Sequence, residues 1–154
     1  MSDDMLDQMA PQFSLLDQHG AMCQLSDYRG AWCALYFYPK DDTPGCTKQA
    51  CNLRDNYVAL TENNINIIGI SVDNKQKHQK FIDKYQLPFT LLSDQNGSVA
   101  KKYQCLFSLG PIKFAKRHSF LIDPSGIIRA IHRNVQAGQH SQQIIDSYHA
   151  LTSP

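Results

Sequence analysis

The chain has 154 residues, of which 42% are hydrophobic and 19% charged, and its formal net charge is +1. A chain of this length buries a core without disulfide staples, so we expect a single domain over residues 1–154. The near-zero net charge argues against a nucleic-acid-binding protein, which normally carries a concentrated basic stripe. Apolar runs such as residues 65–70 are far shorter than the roughly 20 residues that cross a bilayer, so we expect no membrane partner.

The N-terminal segment and the cysteine count together indicate a reducing compartment. Residues 1–9 contain three aspartates and neither the positive charge nor the apolar run of an export signal, so we expect a cytoplasmic protein. Five cysteines, an odd number, then argue against a structural disulfide framework. Cys23, Cys33 and Cys105 lie among apolar residues and are expected to be ordinary core residues.

The first half of the chain alternates predicted strands with predicted helices. Residues 13–16 and 22–25 are expected to form an opening hairpin around a turn-prone segment. The continuous apolar run over 31–38 is typical of a strand buried on both faces, and it ends at Pro39. The pattern then predicts, in order, a helix over 44–60, a buried strand over 65–72, a helix over 75–85 and a short strand over 89–92.

The second half adds a late hairpin and a closing helix. After a brief helix over 97–103, strands are predicted over 119–122 and 127–132, and a helix over 139–151 ends the chain. Strands that alternate with helices imply right-handed crossovers and a partly parallel sheet, to which the late hairpin adds antiparallel strands. We therefore predict an α/β fold with a mixed sheet flanked by helices on both faces, and a site in the loop after Tyr38.

Cys46 lies in the first turn of the helix predicted to begin at Pro44. Thr43 is a favoured N-cap residue, and proline suits the first helical position. The unpaired N–H groups and the helix dipole favour an anion there, so a thiolate is favoured, as peroxide reduction requires. The same N–H groups and the Thr43 hydroxyl can orient a peroxide, and Gly45 permits close approach. A plain helix start that happens to carry a cysteine explains these residues equally well.

A second cysteine, Cys51, follows five residues after Cys46. In an intact helix their Cα atoms are about 8.6 Å apart, whereas a disulfide needs less than about 7 Å. We therefore predict that the first turn unwinds whenever the two thiols bond, at little loop-closure cost. A zinc site would need four ligands, and no second close pair of cysteines or histidines has the usual spacing, so no metal is expected. A dithiol oxidoreductase would normally separate its cysteines by two residues, not four.

This segment resembles the bacterioferritin comigratory protein, or Q-type, branch of the peroxiredoxins. The signature of the branch is Pro-x-x-x-Thr-x-x-Cys with a second cysteine five residues later, and it matches Pro39, Thr43, Cys46 and Cys51 position for position. The resemblance covers nearly the whole chain, because it continues through residues 69–73, 78–81, 87–89, 91–94 and 117–123.

The resemblance implies a thioredoxin-like fold and a thiol-specific peroxidase that needs no cofactor. In that cycle Cys46 reduces hydrogen peroxide or an organic hydroperoxide and becomes a sulfenic acid, with which Cys51 condenses to a disulfide. Thioredoxin or a similar dithiol then reduces the disulfide. The resemblance also implies that Arg117 binds substrate beside the peroxidatic sulfur and that Pro39 shields the sulfur from water. Members of this branch are often monomeric, so a monomer is expected.

Two positions depart from the family pattern. Gln49 stands where the family usually has a glutamate, and Gln104 stands where it has a glycine. Gln49 accepts hydrogen bonds but brings no charge, so the orientation of Arg117 is expected to differ somewhat. We assign no role to any of the six histidines, because a lone one such as His78 or His118 is more often a surface or packing residue. An alternative function is a redox sensor or folding-assistance protein that uses the same cysteine pair.

Overall fold

Residues 3–153, which the computed structural model of the chain describes, fold around a central mixed sheet. The strands are β1 (Ser14–Leu16), β2 (Met22–Gln24), β3 (Trp32–Phe37), β4 (Ile65–Ser71), β5 (Thr90–Ser93), β6 (Leu106–Leu109), β7 (Ile112–Ala115), β8 (His118–Ile122) and β9 (Ile128–His132). The helices are α1 (Pro44–Asp55), α2 (Tyr57–Glu62), α3 (Lys75–Tyr85), α4 (Ser98–Lys102) and α5 (His140–Thr152). Two single-turn 3-10 helices, Leu25–Tyr28 and Ala137–Gln139, precede β3 and α5.

The sheet has seven strands in the order β2-β1-β5-β4-β3-β8-β9. Its centre is parallel, because α1 and α2 connect β3 to β4 and α3 connects β4 to β5. The outer strands are antiparallel: β1 pairs with β2 and β5, and β8 pairs with β3 and β9. The predicted mixed sheet with an opening hairpin and a late hairpin is therefore confirmed.

Strand β3 shows how the sheet divides the core. Its residues alternate between the two faces, so that Cys33, Leu35 and Phe37 join one hydrophobic cluster while Ala34 and Tyr36 join the other. The first cluster contains residues of α4, and the second contains residues of α1, α2, α3 and α5. Helices therefore cover both faces, as predicted. No helix within residues 3–153 is both long enough and apolar enough to cross a membrane.

The helix predicted over 44–60 is wrong in its length, because it is two helices. Helix α1 ends at Asp55, and α2 begins at Tyr57 after a break at Asn56. The Asn56 side-chain amide donates to the Asn52 carbonyl at 2.8 Å. Asparagine side chains that bond to nearby backbone compete with continued helix, which explains the break.

The hairpin of β6 and β7 was not predicted. Its two strands have four residues each, meet at Gly110 and Pro111, and are held by Phe107 and Phe114, whose rings stack at 4.6 Å. Short strands that are exposed on one side have a weak hydrophobic pattern, which is why the periodicity missed them.

The three cysteines assigned to the core are buried as predicted. Cys33 and Cys105 are 1% and 0% exposed, and Cys23 is 8% exposed. Burial raises the pKa of all three thiols, since the thiolate is poorly solvated in the core. These three thiols are therefore poor nucleophiles at neutral pH.

Candidate active site

The antiparallel pairing of β3 with β8 brings two distant segments to one edge of the sheet. His118 on β8 lies opposite Phe37 at the end of β3. The chain leaves β3 through a loop over residues 38–43 and enters α1, while Arg117 immediately precedes β8. The start of α1 and Arg117 therefore meet beyond the carboxyl end of β3, where a site was predicted.

Thr43 occupies the N-cap position of α1, as predicted, but its side chain makes no capping hydrogen bond. Its hydroxyl instead donates to the carbonyl of Lys40 at 2.9 Å, within the loop. The first-turn N–H groups, which have no partner inside the helix, are thus not blocked by their N-cap side chain. Cys46 is the third residue of α1 and so lies in this first turn, where such N–H groups favour an anion.

The sulfur of Cys46 is almost buried and lies against Arg117. Cys46 is 2% exposed, and an Arg117 guanidinium nitrogen, Nη2, lies 3.4 Å from Sγ. A β-carbon added at Gly45 would lie 2.8 Å from the same nitrogen. Because position 45 carries no side chain, the Arg117 guanidinium can lie against the Cys46 sulfur.

Four side chains form a chain of hydrogen bonds behind this contact, which we call the arginine network: Arg117, Gln49, His140 and Ser119. Arg117 Nη1 donates to Gln49 Oε1 at 2.7 Å. Gln49 Nε2 lies 3.0 Å from His140 Nδ1, and His140 Nε2 lies 2.7 Å from Ser119 Oγ. Among residues 3–153 Arg117 makes no ion pair with a carboxylate. Its positive charge can therefore interact with the Cys46 sulfur without being neutralised.

His140 is the member of the arginine network that the sequence did not indicate. It lies at the start of α5, 91 positions from Gln49, and is fully buried. Burial, with smaller contributions from the neighbouring His132 and Arg117, lowers its pKa to about 3. A lone histidine carries no signal of such a contact, which only the packing of α5 against α1 creates.

A second network, the loop network, holds the loop before α1: Tyr38, Asp41, Ser71, Asp73 and His78. The Tyr38 hydroxyl donates to Asp41 Oδ1 at 2.5 Å, and His78 Nδ1 lies 2.6 Å from Asp41 Oδ2. Asp73 Oδ2 accepts from the Asp41 backbone N–H at 2.8 Å and from the Ser71 hydroxyl at 2.7 Å. All five residues are buried.

The loop network has ligand atoms suited to a metal but has no need of one. One ligand atom each from Asp41, Asp73 and His78 lies within 4.8 Å of the others. His78 Nε2 lies 3.0 Å from the carbonyl of Leu92, which only accepts, so Nε2 carries a proton. One further proton lies between His78 Nδ1 and the Asp41 carboxylate, because two lone pairs would not approach to 2.6 Å. The cluster is thus satisfied by protein atoms alone.

Pro39 lies beside the site at the wall of an open groove. The groove has a volume of about 550 Å³ and is lined by Pro39, Val72, Ile112 and Phe114 together with polar residues. Cys46 does not line it. The groove therefore borders the active-site loop on the side of the unpredicted β6–β7 hairpin.

Cys51 lies on the same intact helix as Cys46, and both are free thiols. Cys51 is half-buried, so it is more accessible than Cys46. The next residue, Asn52, fixes the helix: its amide donates to the Gly138 carbonyl at 3.2 Å, and its Oδ1 accepts from the Ser141 backbone N–H at 2.9 Å. The part of α1 that follows Cys51 is thus anchored to the start of α5.

Comparison with known proteins gives consistent matches. Residues 6–131 match the AhpC/TSA family. A peroxiredoxin bcp of Coxiella burnetii is 42% identical over 142 residues, which cover 90% of this chain and 94% of that protein. Peroxiredoxin Q of Arabidopsis thaliana, a chloroplastic protein, is 44% identical over 130 residues, which cover 82% of this chain and 58% of that longer protein.

Solved structures agree with these sequence matches. Peroxidoxin BcpB from Mycobacterium tuberculosis superimposes with a TM-score of 0.91 at 30% identity, covering 97% of this chain and 99% of that one. PrxQ of Xylella fastidiosa superimposes with a TM-score of 0.85 at 25% identity, covering 99% and 94% respectively. The fold and the branch suggested by the cysteine motif therefore agree with these matches.

Proposed function

Because this chain belongs to the AhpC/TSA family, in the bacterioferritin comigratory protein or peroxiredoxin Q branch, we propose that Cys46 is its peroxidatic cysteine and Cys51 its resolving cysteine. The chain is a thiol peroxidase with a thioredoxin-like fold, and it reduces peroxides with electrons from a thiol reductant. The observation that carries the assignment is the 3.4 Å contact of Arg117 with the Cys46 sulfur in the first turn of α1.

In the first step the Cys46 thiolate attacks the terminal oxygen of the peroxide. The S–O bond forms as the O–O bond breaks, sulfur loses two electrons, and the leaving oxygen departs as water or an alcohol after taking a proton. The N–H groups of the first turn orient the peroxide, the Thr43 hydroxyl lies beside them, and Arg117 stabilises the negative charge on both oxygens. Pro39, in the loop before α1, is proposed to limit the entry of water, as the family resemblance implies.

In the second step Cys51 condenses with the Cys46 sulfenic acid, and water leaves. The first turns of α1 must unwind, because five helical residues hold the sulfurs too far apart. Asn52 keeps the rest of the helix on α5, so unwinding is confined to the segment before it. Thioredoxin or a similar dithiol then reduces the disulfide by exchange and returns both thiols. If Cys51 is removed, excess peroxide oxidises Cys46 to the sulfinic acid.

Further properties of the chain belong to the same proposal. We propose a single-domain, monomeric enzyme that uses no metal, binds neither nucleic acid nor membrane, and acts in the cytoplasm. The near-zero net charge supports the absence of nucleic-acid binding, and the hydrogen bonds that protein atoms make to the buried carboxylates support the absence of a metal. The location stays a prediction, because the plant relatives are named chloroplastic.

The test is peroxide consumption driven by thioredoxin and its reductase. Cys46→Ser should abolish turnover, Cys51→Ser should lose most of it and accumulate sulfinic acid, and Cys105→Ala should leave it unchanged, because Cys105 is a buried core residue. Turnover by Cys46→Ser would contradict the assignment of the nucleophile. Oxidation of the wild type by one equivalent of peroxide without further turnover would instead favour a redox sensor or folding-assistance protein.

A further inference from the structure

The orientation of the buried Gln49 side chain is fixed by its two neighbours. Arg117 has only donors, so the Gln49 atom 2.7 Å from Nη1 must be the carbonyl oxygen. The other end of the amide, the NH2 group, then faces His140 Nδ1 at 3.0 Å. Gln49 is 0% exposed, so no solvent replaces either partner.

This orientation determines the protonation of His140. An NH2 group donates, so His140 Nδ1 must accept and carries no proton. The ring proton is then on Nε2, which donates to Ser119 Oγ at 2.7 Å. The neutral ring agrees with its environment, because burial lowers its pKa to about 3.

We propose that His140 is a positioning residue for peroxide reduction: its unprotonated Nδ1 turns the Gln49 carbonyl oxygen toward Arg117, which in turn holds the guanidinium on the Cys46 sulfur. The proposal rests on the proposed function. It also accounts for the departure at position 49. A glutamate there would pair with Arg117 and neutralise its charge, whereas glutamine accepts from Arg117 and donates to His140 without adding charge.

The role also predicts what happens when the acceptor is lost. Without Nδ1, the buried Gln49 NH2 group has no partner, so the amide is held at one end only, by Arg117. When the side chain leaves this position to find a partner for the NH2 group, Arg117 Nη1 loses its acceptor and the guanidinium is no longer held at Sγ. Thiolate formation at Cys46 then requires a higher pH, and the rate of sulfur oxidation falls.

The experiment compares His140→Leu with His140→Asn in the full chain. The asparagine oxygen occupies nearly the position of Nδ1 and still accepts, whereas leucine does not. The control is His132→Leu: His132 also joins the sheet to α5, through Ser147 at 2.9 Å, but does not contact Gln49. The measurement is the rate at which one equivalent of hydrogen peroxide oxidises Cys46, followed from pH 5 to 9.

We expect His140→Leu to lower the rate at pH 7 about tenfold, a loss at the low end of those seen when a group that orients a reactive centre is removed. The pH dependence should move to higher pH. His140→Asn should stay within about threefold of the wild type, an allowance for an imperfect mimic of the ring, and His132→Leu should match the wild type. Equal losses in the leucine and asparagine variants, or a wild-type profile in His140→Leu, would overturn the proposal.

A measurement on the wild type keeps the proposal testable if a variant does not fold. Nitrogen-15 NMR of the ring should show an unprotonated Nδ1 and a protonated Nε2 at pH 7, and a protonated Nδ1 would overturn the proposal. This readout requires no peroxide. It therefore separates failure of the positioning role from failure of the proposed function, which the Cys46→Ser variant tests independently.

Discussion

The two buried networks on either side of the start of α1 use their histidines in opposite ways. In the loop network His78 shares a proton with the Asp41 carboxylate. In the arginine network His140 is neutral and contacts the Gln49 amide, and no carboxylate is present. Both histidines are 0% exposed, so the difference lies in the partners and not in burial.

The two networks show where this chain places its buried negative charge. Carboxylates hold the backbone of the loop, through the Asp41 side chain and through Asp73, which accepts from the Asp41 N–H. They are kept away from Arg117, whose charge would otherwise be neutralised by an ion pair. One network therefore fixes the loop, and the other leaves a cation to favour the Cys46 thiolate.

Breaking the loop network should have the largest effect, and the effect should be on stability. His78→Leu leaves the buried Asp41 carboxylate with the Tyr38 hydroxyl as its one hydrogen-bond partner among the described residues. Removal of one partner of a buried charge pair costs about 3–5 kcal/mol, so the free energy of unfolding in urea should fall by that amount. Lys84→Met is the control, because it removes only an exposed contact of α3 with Asp42 and should change stability little. A loss below about 1 kcal/mol in His78→Leu would contradict the assignment.

Breaking the arginine network at its cation should affect mainly the chemistry, with a smaller loss of stability because the buried Gln49 carbonyl oxygen loses its partner. Arg117→Met removes the only donor side chain that contacts Sγ within the described residues. We expect kcat/KM for hydrogen peroxide to fall about 100- to 1000-fold, as when a positioned donor is lost from a reacting centre. Lys116→Met, which removes a charge from an exposed neighbour, should retain full activity. Retention of activity within about threefold in Arg117→Met would mean that another group favours the thiolate.

Lowering the pH should reduce the free energy of unfolding through His140, because the protonation of this residue is linked to unfolding. In the unfolded chain the histidine pKa is about 6.5, whereas burial lowers it to about 3 in the folded protein. Below pH 6.5 the unfolded state takes up a proton that the folded state does not, so stability present above pH 6.5 is lost as pH falls toward 3. At pH 5 this contribution of His140 lowers the free energy of unfolding by about 2 kcal/mol relative to pH 7.

His140→Asn, which has no titrating ring, isolates this contribution. Urea unfolding at pH 7 and pH 5 should show that the variant loses about 2 kcal/mol less than the wild type on acidification. Equal losses in both proteins would mean that His140 is protonated or exposed in the folded state.

The smallest expected effect follows from the close approach of Arg117 to Gly45. In Gly45→Ala the new β-carbon would lie 2.8 Å from Arg117 Nη2, the mobile end of a long side chain, so the guanidinium moves and the helix does not. We expect about tenfold lower activity, a fraction of the loss for removal of the cation. The free energy of unfolding should be unchanged or higher by up to about 1 kcal/mol, since alanine favours helix over glycine.

Gly138→Ala is the matched control for that variant. Its β-carbon would lie 2.8 Å from Lys48 Cε and so would displace a lysine of the same helix instead of Arg117. Its activity should equal that of the wild type. If both alanine variants lose the same activity, disturbance of α1 and not displacement of Arg117 is the cause.

The sequence was informative wherever a feature is local. Apolar runs predicted the central strands, and Thr43 with Pro44 predicted the start of α1 and the first-turn position of Cys46. The site residue from a distant segment, Arg117, came from the family resemblance, because no local pattern ties residue 117 to residue 46. The antiparallel pairing of β3 with β8 is the physical reason that they meet.

The parts that were not predicted depend on contacts between remote side chains. His140 and Gln49 are 91 positions apart, and His78 and Asp41 are 37 apart. A lone histidine has no periodicity that would indicate such a partner, so none was assigned a role. The break at Asn56 was missed for a different reason: a single side-chain bond to the backbone overrides a pattern that otherwise continues the helix.

The most direct test of the central claim is mass mapping of the wild-type protein after reaction with one equivalent of hydrogen peroxide. The account predicts one disulfide, between Cys46 and Cys51, with the buried thiols of Cys23, Cys33 and Cys105 still reduced. A disulfide that includes one of those three residues, or a sulfenic acid on a cysteine other than Cys46, would contradict it.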